Sequence, residues 1–299
     1  MKYLYYPGCS MKSTGKPYEE SMLAVFSALN RDLEEIVDWN CCGATAYMSI
    51  SELKAFALSA RNLALAEQQA TNGETNLVVP CAACYLGLNK ARKGLEEHKD
   101  IRAIIDKGLA AAGLQYTGRF KVRHPLDVIV NDIGLETIQK RAVRPLAGLK
   151  VACYYGCQLV RPYAEFDNAH EPMVMDNLVT ALGGTPVSWP LKTRCCGGSL
   201  TGTVPEVGLR LSYILLREAQ QRGCDVIATA CPLCQFNLEC YQPKVSKMYG
   251  ERIDIPILFF SQLMGIAFGL DKRPLGLHRL FVPFDRTFPV AAEGGVHVG

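Results

Sequence analysis

Two kinds of apolar pattern alternate along this chain. Short runs rich in aromatic and β-branched residues read as strands: residues 3–6, 36–39 and 77–79 in the first half, and 150–155, 185–189 and 225–228 in the second. Between them, apolar positions recur at helical spacing. Residues 52–69 carry Leu53, Phe56, Ala57, Ala60, Leu63 and Ala64, continue to Ala70, and stop near Gly73. Ser49 with Glu52 predicts a capping box at the start of that helix. Residues 206–222 carry Leu209, Tyr213, Leu216 and Ala219 and stop at Gly223. Residues 85–95 and 235–241 are also compatible with helix. Strand-helix-strand order predicts an α/β fold of two similar repeats. Each is a small parallel sheet flanked by helices, with functional loops at the carboxyl ends of the strands.

The sequence Arg144-Pro145-Leu146-Ala147-Gly148 has the composition of a short linker, so two domains are expected at 1–145 and 146–275. Residues 276–299 have weak periodicity and read as an appended C-terminal tail, with Glu293-Gly294-Gly295 expected to be mobile. At 299 residues and 49% hydrophobic content, the chain is long enough for two cores of ordinary domain size. A net charge of +3, with lysines and arginines scattered, gives no basis for a nucleic-acid or membrane-surface partner. The apolar run 255–270 contains Ser261 and Gln262 and falls short of the roughly 20 residues a membrane span needs. It reads as a buried segment or a contact with a partner protein. The first residues lack the apolar core of a secretory signal, so a reducing cytoplasmic setting without disulfides is expected.

The chemistry lies in thirteen cysteines, ten of which form one pattern written twice. In the first copy, Cys9 is followed by Cys41-Cys42-Gly43 and then by Cys81-Ala82-Ala83-Cys84. In the second, Cys157 is followed by Cys195-Cys196-Gly197 and then by Cys231-Pro232-Leu233-Cys234. Even the approach repeats, since Tyr5-Tyr6-Pro7-Gly8-Cys9 is answered by Tyr154-Tyr155-Gly156-Cys157. In each half the cysteines fall on loops after predicted strands, which brings five thiols together. The two C-x-x-C pairs open predicted helices, whose N-terminal N–H groups and positive dipole end favour thiolates and an anionic metal-sulfur group. Three metal-free or metal-bound chemistries are compatible with such a set. A structural zinc would take four of the five thiols in a half. A dithiol redox pair would use one C-x-x-C and leave Cys41-Cys42 idle. An iron-sulfur cluster suits the pattern best, although a cubane takes four thiolates and five imply an unusual one.

The doubled pattern resembles the duplicated cysteine-rich CCG domain of the B-subunit family of heterodisulfide reductases. The likeness extends to Arg161-Pro162 after Cys157, to Leu178 and Ala181-Leu182-Gly183, and to Pro190-Leu191-Lys192 ahead of Cys195-Cys196-Gly197. The resemblance implies a noncubane 4Fe-4S cluster in each half. Cys9, Cys41, Cys42, Cys81 and Cys84 would bind one, and Cys157, Cys195, Cys196, Cys231 and Cys234 the other, with zinc the alternative in one half. It also implies a disulfide split in a cleft shared by the two clusters. Electrons would come through a ferredoxin-like iron-sulfur subunit and a flavin subunit. The disulfide or thiol substrate could be carried on a lipoyl or sulfur carrier protein.

Two further function classes fit the same chain. One is the electron-transfer iron-sulfur subunit of a flavin-dependent glycolate, lactate or succinate-type dehydrogenase, and the other is a zinc-stabilised assembly subunit. The chain has no ferredoxin-type C-x2-C-x2-C-x3-C-P run, so either redox role needs an electron-carrying partner. Cys153 competes with Cys157 as fifth ligand, but strand alternation puts Cys153 on a sheet face and Cys157 after a glycine at the strand end. Cys153, Cys224 and Cys240 read as buried apolar side chains. His124 is a candidate proton donor to a departing thiolate or a structural histidine. Lys192 and Arg194 flank the second cysteine pair and could offset cluster charge, hold an acidic substrate, or simply face solvent.

Overall fold

The computed structural model describes residues 2–44, 46–71, 73 and 75–291, and the segment Glu293-Gly294-Gly295 lies outside these residues. Among the described residues, eight short strands form two parallel four-stranded sheets. The first has the order β2-β1-β3-β4, with β1 Lys2–Tyr5, β2 Asp32–Glu35, β3 Asn76–Val78 and β4 Lys121–Arg123. The second has the order β6-β5-β7-β8, with β5 Lys150–Tyr154, β6 Thr185–Pro186, β7 Val226–Thr229 and β8 Ile257–Phe259. The two sheets repeat one topology, as the doubled sequence pattern predicts. The inner strands β1, β3, β5 and β7 are almost wholly buried because helices cover both faces, which is why they read as continuous apolar runs rather than alternating ones.

The predicted helix at 52–69 is observed at Glu52–Gln69, and that at 206–222 is observed at Pro205–Gln221. The helix cap differs from expectation. Ser51, not Ser49, is the N-cap, accepting from the Lys54 N–H, because residues Ala46–Ile50 already form a helical turn that contains Ser49. The second strand also lies earlier than expected. Asp32–Glu35 pairs with β1 and the buried Ile36 still donates its N–H to the Tyr5 carbonyl at 3.0 Å, while residues 37–39 turn away, with Val37 71% exposed and Asp38 at φ 61°. This edge strand is held by backbone pairing on one side only and so shows no apolar alternation. The three-residue β4 was too short to leave a pattern, and β8 lay inside the apolar run 255–270.

That run proves to be the seam between the halves. It forms β8 and the buried helix Phe260–Ala267, which packs on the helix Lys16–Ala28 of the first half. Tyr18 stacks on Phe259 with ring centroids 4.3 Å apart, and the Ser21 and Ser261 hydroxyls meet at 2.7 Å. Among the described residues no helix is long and apolar enough to cross a membrane.

Strand register also fixes which residues are equivalent. Leu4 and Val122 both pair with Leu77, and Ala152 and Ile257 both pair with Ile227, so Tyr6 matches Tyr154, Gly8 matches Gly156, and His124 matches Phe259. The loop after each leading cysteine reaches across to the opposite half. Gly15 lies against Pro232, while Glu165 pairs with Lys93 at 2.7 Å and Phe166 meets Tyr85 edge-on.

The segment after Pro274 straps the halves together. Leu275 and Leu277 are buried, Arg279 forms a two-pronged pair with Glu20 at 2.9 Å, and the Val282 N–H donates to Glu239 at 3.2 Å. Arg286 then reaches Asp225 at 3.0 Å and the Gly148 carbonyl at 2.9 Å. Scattered anchors of this kind leave no periodic pattern. Gly276 has φ +64°, and a Cβ there would stand 2.7 Å from Pro17 Cα, so Gly276→Ala should cost about 1–3 kcal/mol, read as a lowered thermal midpoint. An unchanged midpoint would show that the strap is not held at that point.

Glu239, beneath the strap, is buried, and burial pushes its carboxyl up from the ordinary 4.5 to about 7, against hydrogen bonds from Val282 and Gln235. The folded state therefore binds the extra proton. This contribution to stability is complete below about pH 4.5 and is lost as pH rises through about 7. Glu239→Gln should remove that loss and flatten the stability profile between pH 5 and 8, where the slope from one group is at most about 1.4 kcal/mol per pH unit. Chemical denaturation across that range measures it.

Candidate metal centre

Each half builds its thiol site from three strand ends. Cys81 and Cys231 sit at the N-caps of the helices Ala82–Glu97 and Pro232–Cys240, in extended backbone that turns the sulfur toward the free N–H groups of the first turn. The Cys84 N–H bonds to Cys81 and the Cys234 N–H to Cys231. The Cys-Cys-Gly loops repeat the device. Gly43 at φ +73° and Gly197 at φ +103° turn the chain so that successive N–H groups point at the preceding thiols. Those of Gly43 and Ala44 serve Cys41 and Cys42, and those of Gly197 and Gly198 serve Cys195 and Cys196, the Gly197 contact being 3.3 Å.

The surrounding hydrogen bonds are equally paired. Ser59 Oγ holds the Cys42 carbonyl at 2.9 Å and Ser212 Oγ holds that of Cys196 at the same distance. The Tyr6 hydroxyl donates to the Asn40 carbonyl at 2.8 Å, and its counterpart Tyr154 donates to the Arg194 carbonyl at 2.6 Å. Gly8 and Gly156, both near φ +70°, leave room for a sulfur. A Cβ at Gly8 would lie 2.9 Å from Cys84 Sγ, and one at Gly156 would lie 3.1 Å from Cys234 Sγ.

All ten predicted thiols are brought together, as one continuous series of sulfur-sulfur contacts. Cys9 touches Cys41, which touches Cys42, and Cys42 Sγ lies 3.2 Å from Cys84 Sγ. Cys84 meets Cys81, and Cys81 meets Cys231 of the other half. The second half mirrors the first, from Cys231 to Cys234, then to Cys196 at 3.5 Å, and on to Cys195 and Cys157. The middle of the series is buried and its ends reach the surface, with Cys9 and Cys41 exposed and Cys157 and Cys195 half-buried. Hydrogen bonds from Cys42 and Cys9 draw the Cys41 thiol down to about 2, and those from Cys157 and Cys196 do the same to Cys195. Donating to those sulfurs, with burial added, pushes Cys42 and Cys196 up to about 11.

Among the described residues no group of three or more His, Cys, Asp or Glu side chains is shaped around a single metal ion. An all-sulfur donor set, N–H groups aimed at the sulfurs and glycine cradles beside them fit a polynuclear iron-sulfur group. The other candidates occupy different roles. Cys153 takes the place of Tyr5 in the repeat, is fully buried, and lies apart from the thiol series, so burial pushes its thiol up. Cys224 and Cys240 are only half-buried, because each sits at the open end of a helix or the turn after one.

Lys192 does not face solvent. It is buried, pairs with Asp176 at 2.9 Å and donates to the Pro172 carbonyl at 3.0 Å, while its own carbonyl takes the N–H groups of Tyr155 and Gly156. It thus pins the loop into Cys157, while the Arg194 side chain is exposed. His124 is fully buried, and its Nε2 lies 2.9 Å from the Pro80 carbonyl and 3.2 Å from the Ala230 carbonyl. Both ring nitrogens are engaged by backbone, which leaves none to serve a departing thiolate. Sequence reasoning missed Ser59, Ser212 and Asn237, whose Nδ2 lies 3.5 Å from Cys196 Sγ. The two serines follow Cys42 and Cys196 by 17 and 16 positions, a signal that superposing the repeats would have shown.

Known proteins match this chain along most of its length. The Cysteine-rich domain family, CCG, matches residues 3–89 and again 151–239. A protein of Archaeoglobus profundus that is like the heterodisulfide reductase B-subunit is 30% identical, covering 91% of this chain and 92% of its own. An 8-methylmenaquinol:fumarate reductase membrane anchor subunit of Wolinella succinogenes is 29% identical, covering 93% and 95%. The B-subunit of a ferredoxin/F(420)H(2)-dependent CoB-CoM heterodisulfide reductase of Methanosarcina acetivorans is 28% identical over 93% of each. A hypothetical protein from Helicobacter pylori of known structure shares the fold, with a TM-score of 0.73 at 16% identity over 94% of this chain, which spans about half (52%) of that structure. The chain belongs to the B-subunit family of heterodisulfide reductases, built on a duplicated cysteine-rich CCG domain.

Gly8→Ala and Gly156→Ala place a methyl group against Cys84 and Cys234 respectively, at a backbone angle that disfavours it. Each should lower bound iron by about half, by damaging only its own site. Iron assay with counting of reactive thiols measures this, and normal loading of both variants would show that the cradles are not required.

Proposed function

We propose that this chain is the catalytic, cluster-bearing component of a heterodisulfide-reductase-like complex, reducing a disulfide or oxidising the corresponding thiols. Two noncubane 4Fe-4S clusters would be held by Cys9, Cys41, Cys42, Cys81 and Cys84 and by Cys157, Cys195, Cys196, Cys231 and Cys234. The observation that supports this reading is the meeting of the two thiol sets at Cys81 and Cys231 in the buried centre, so that clusters held there would be neighbours. When bound, such clusters supply one-electron centres that can accept substrate sulfur. The chain's own residues set the frame. The helix N-termini aim N–H groups at Cys81 and Cys231, the seam helices keep water from the centre, and the exposed Cys9 and Cys41 lie where substrate or a partner can approach.

Reducing a disulfide takes two electrons and two protons. The chain has no conventional cluster motif to admit electrons, so a ferredoxin-like subunit and a flavin subunit are the expected partners, in the cytoplasm. The substrate class is a small or carrier-borne disulfide.

A second reading rests on a separate observation. A cavity of about 560 Å³ lies beside the first site, lined by Tyr47, Leu53, Leu58, Ile104 and Leu109, with Tyr47 and Leu58 touching Gly43. An apolar cleft of that size suits a flat ring such as a quinol, the substrate named in the Wolinella relative. The chain would then pass electrons within a flavin-dependent dehydrogenase or fumarate-reductase-type complex.

Anaerobically purified protein should hold about eight irons with matching sulfide, and stoichiometric zinc with little iron would defeat both readings. With its partners, the protein should then reduce a disulfide from a low-potential dye faster than it exchanges electrons with a menaquinol analogue. The opposite order would favour the dehydrogenase reading. Cys42→Ala and Cys196→Ala should each remove only the signal of its own half.

A further inference from the structure

His124 occupies a position that no single-half description explains. It follows β4 of the first half, yet its ring lies on the seam, with Tyr85 edge-on, Phe166 stacked and Phe260 tilted at centroid distances of 6.1, 6.3 and 6.1 Å. Two of those three rings come from the second half. The Leu126 N–H donates to Nδ1 at 3.2 Å, so Nδ1 is the acceptor and Nε2 carries the proton. That single N–H faces two carbonyls, Pro80 at 2.9 Å and Ala230 at 3.2 Å, with the Tyr18 hydroxyl farther off at 3.5 Å. These are the residues immediately before Cys81 and Cys231, the two thiols that meet across the seam. Its counterpart in the second half is Phe259, which has no N–H to offer, so the arrangement is made once and shared.

We propose that His124 is a positioning residue common to both metal sites. One Nε2–H clamps the carbonyls ahead of both C-x-x-C turns, fixes the spacing of Cys81 and Cys231, and sets the reduction potentials of the two clusters jointly. The inference rests on the iron-sulfur reading above. Hydrogen bonds and burial near the sulfurs are what tune such potentials. Two carbonyl oxygens pointing into a dry centre repel added electron density, and a shared N–H partly cancels their field. With Nδ1 taken up as acceptor by the Leu126 N–H, the ring carries one proton, on Nε2. The effect on the potentials is therefore that of an N–H dipole rather than a full charge.

The test is an EPR-monitored redox titration of the anaerobic protein carrying His124→Phe, the residue its counterpart has, with iron and sulfide assayed in parallel. Both midpoint potentials should shift downward together. His124→Gln, whose amide nitrogen reaches about as far as Nε2 and can donate to both carbonyls, should return both toward the original values. Both variants lose the Leu126 contact, so the difference between them isolates the shared donor. If His124→Phe fails to fold, His124→Asn keeps an acceptor for Leu126 while withdrawing the donor and should give the same paired shift. A shift in one site alone, or a lowered thermal midpoint with both potentials unchanged, would overturn the proposal. Wild-type protein without iron would instead overturn the reading on which it rests.

Discussion

The rest of this structure depends on the contact between Cys81 and Cys231. Each thiol sits at the N-cap of a helix that begins where a central strand ends, so their meeting brings the strand ends of the two sheets face to face. Burying sulfur so close to sulfur is tolerable only where N–H groups satisfy them, and both helix N-termini and both glycine turns do so. The seam around the contact is correspondingly dry, closed by Tyr18, Phe259 and Phe260 and by loops that each half lends to the other.

Duplication explains why the arrangement recurs in such detail, down to serines that hold equivalent carbonyls at 2.9 Å. The departures from symmetry are what distinguish the two sites. Asn237 adds a donor near Cys196, where the first half has Gly87 packed on Ala44. His124 stands against Phe259, and Cys9 and Cys41 are more open than Cys157 and Cys195.

Much of this was legible in the sequence, for physical reasons. Buried parallel strands must be apolar throughout, and long helices must repeat every three to four residues, so β1, β3, β5, β7 and the helices Glu52–Gln69 and Pro205–Gln221 left clear patterns. The ten thiols were legible because cysteine spacing is set by the loops that carry it. The edge strand Asp32–Glu35 was not, since it is held by backbone pairing and buries little. The Ser51 cap was obscured by the helical turn just before it, and the role of Lys192 stayed open between cluster charge, an acidic substrate and solvent because its partner Asp176 is not adjacent in sequence. His124 was visible as a residue but not as a bridge, for the carbonyls it joins belong to different halves.

The central claim is that each half's five thiols hold an iron-sulfur cluster and that the two clusters lie side by side across the Cys81–Cys231 contact. Anomalous diffraction at the iron edge, from crystals grown without oxygen, tests it most directly. It should reveal two groups of iron, one within each five-thiol set, adjacent across the seam. Iron in only one half, a signal at the zinc edge instead, or two groups on opposite surfaces of the molecule would contradict the account.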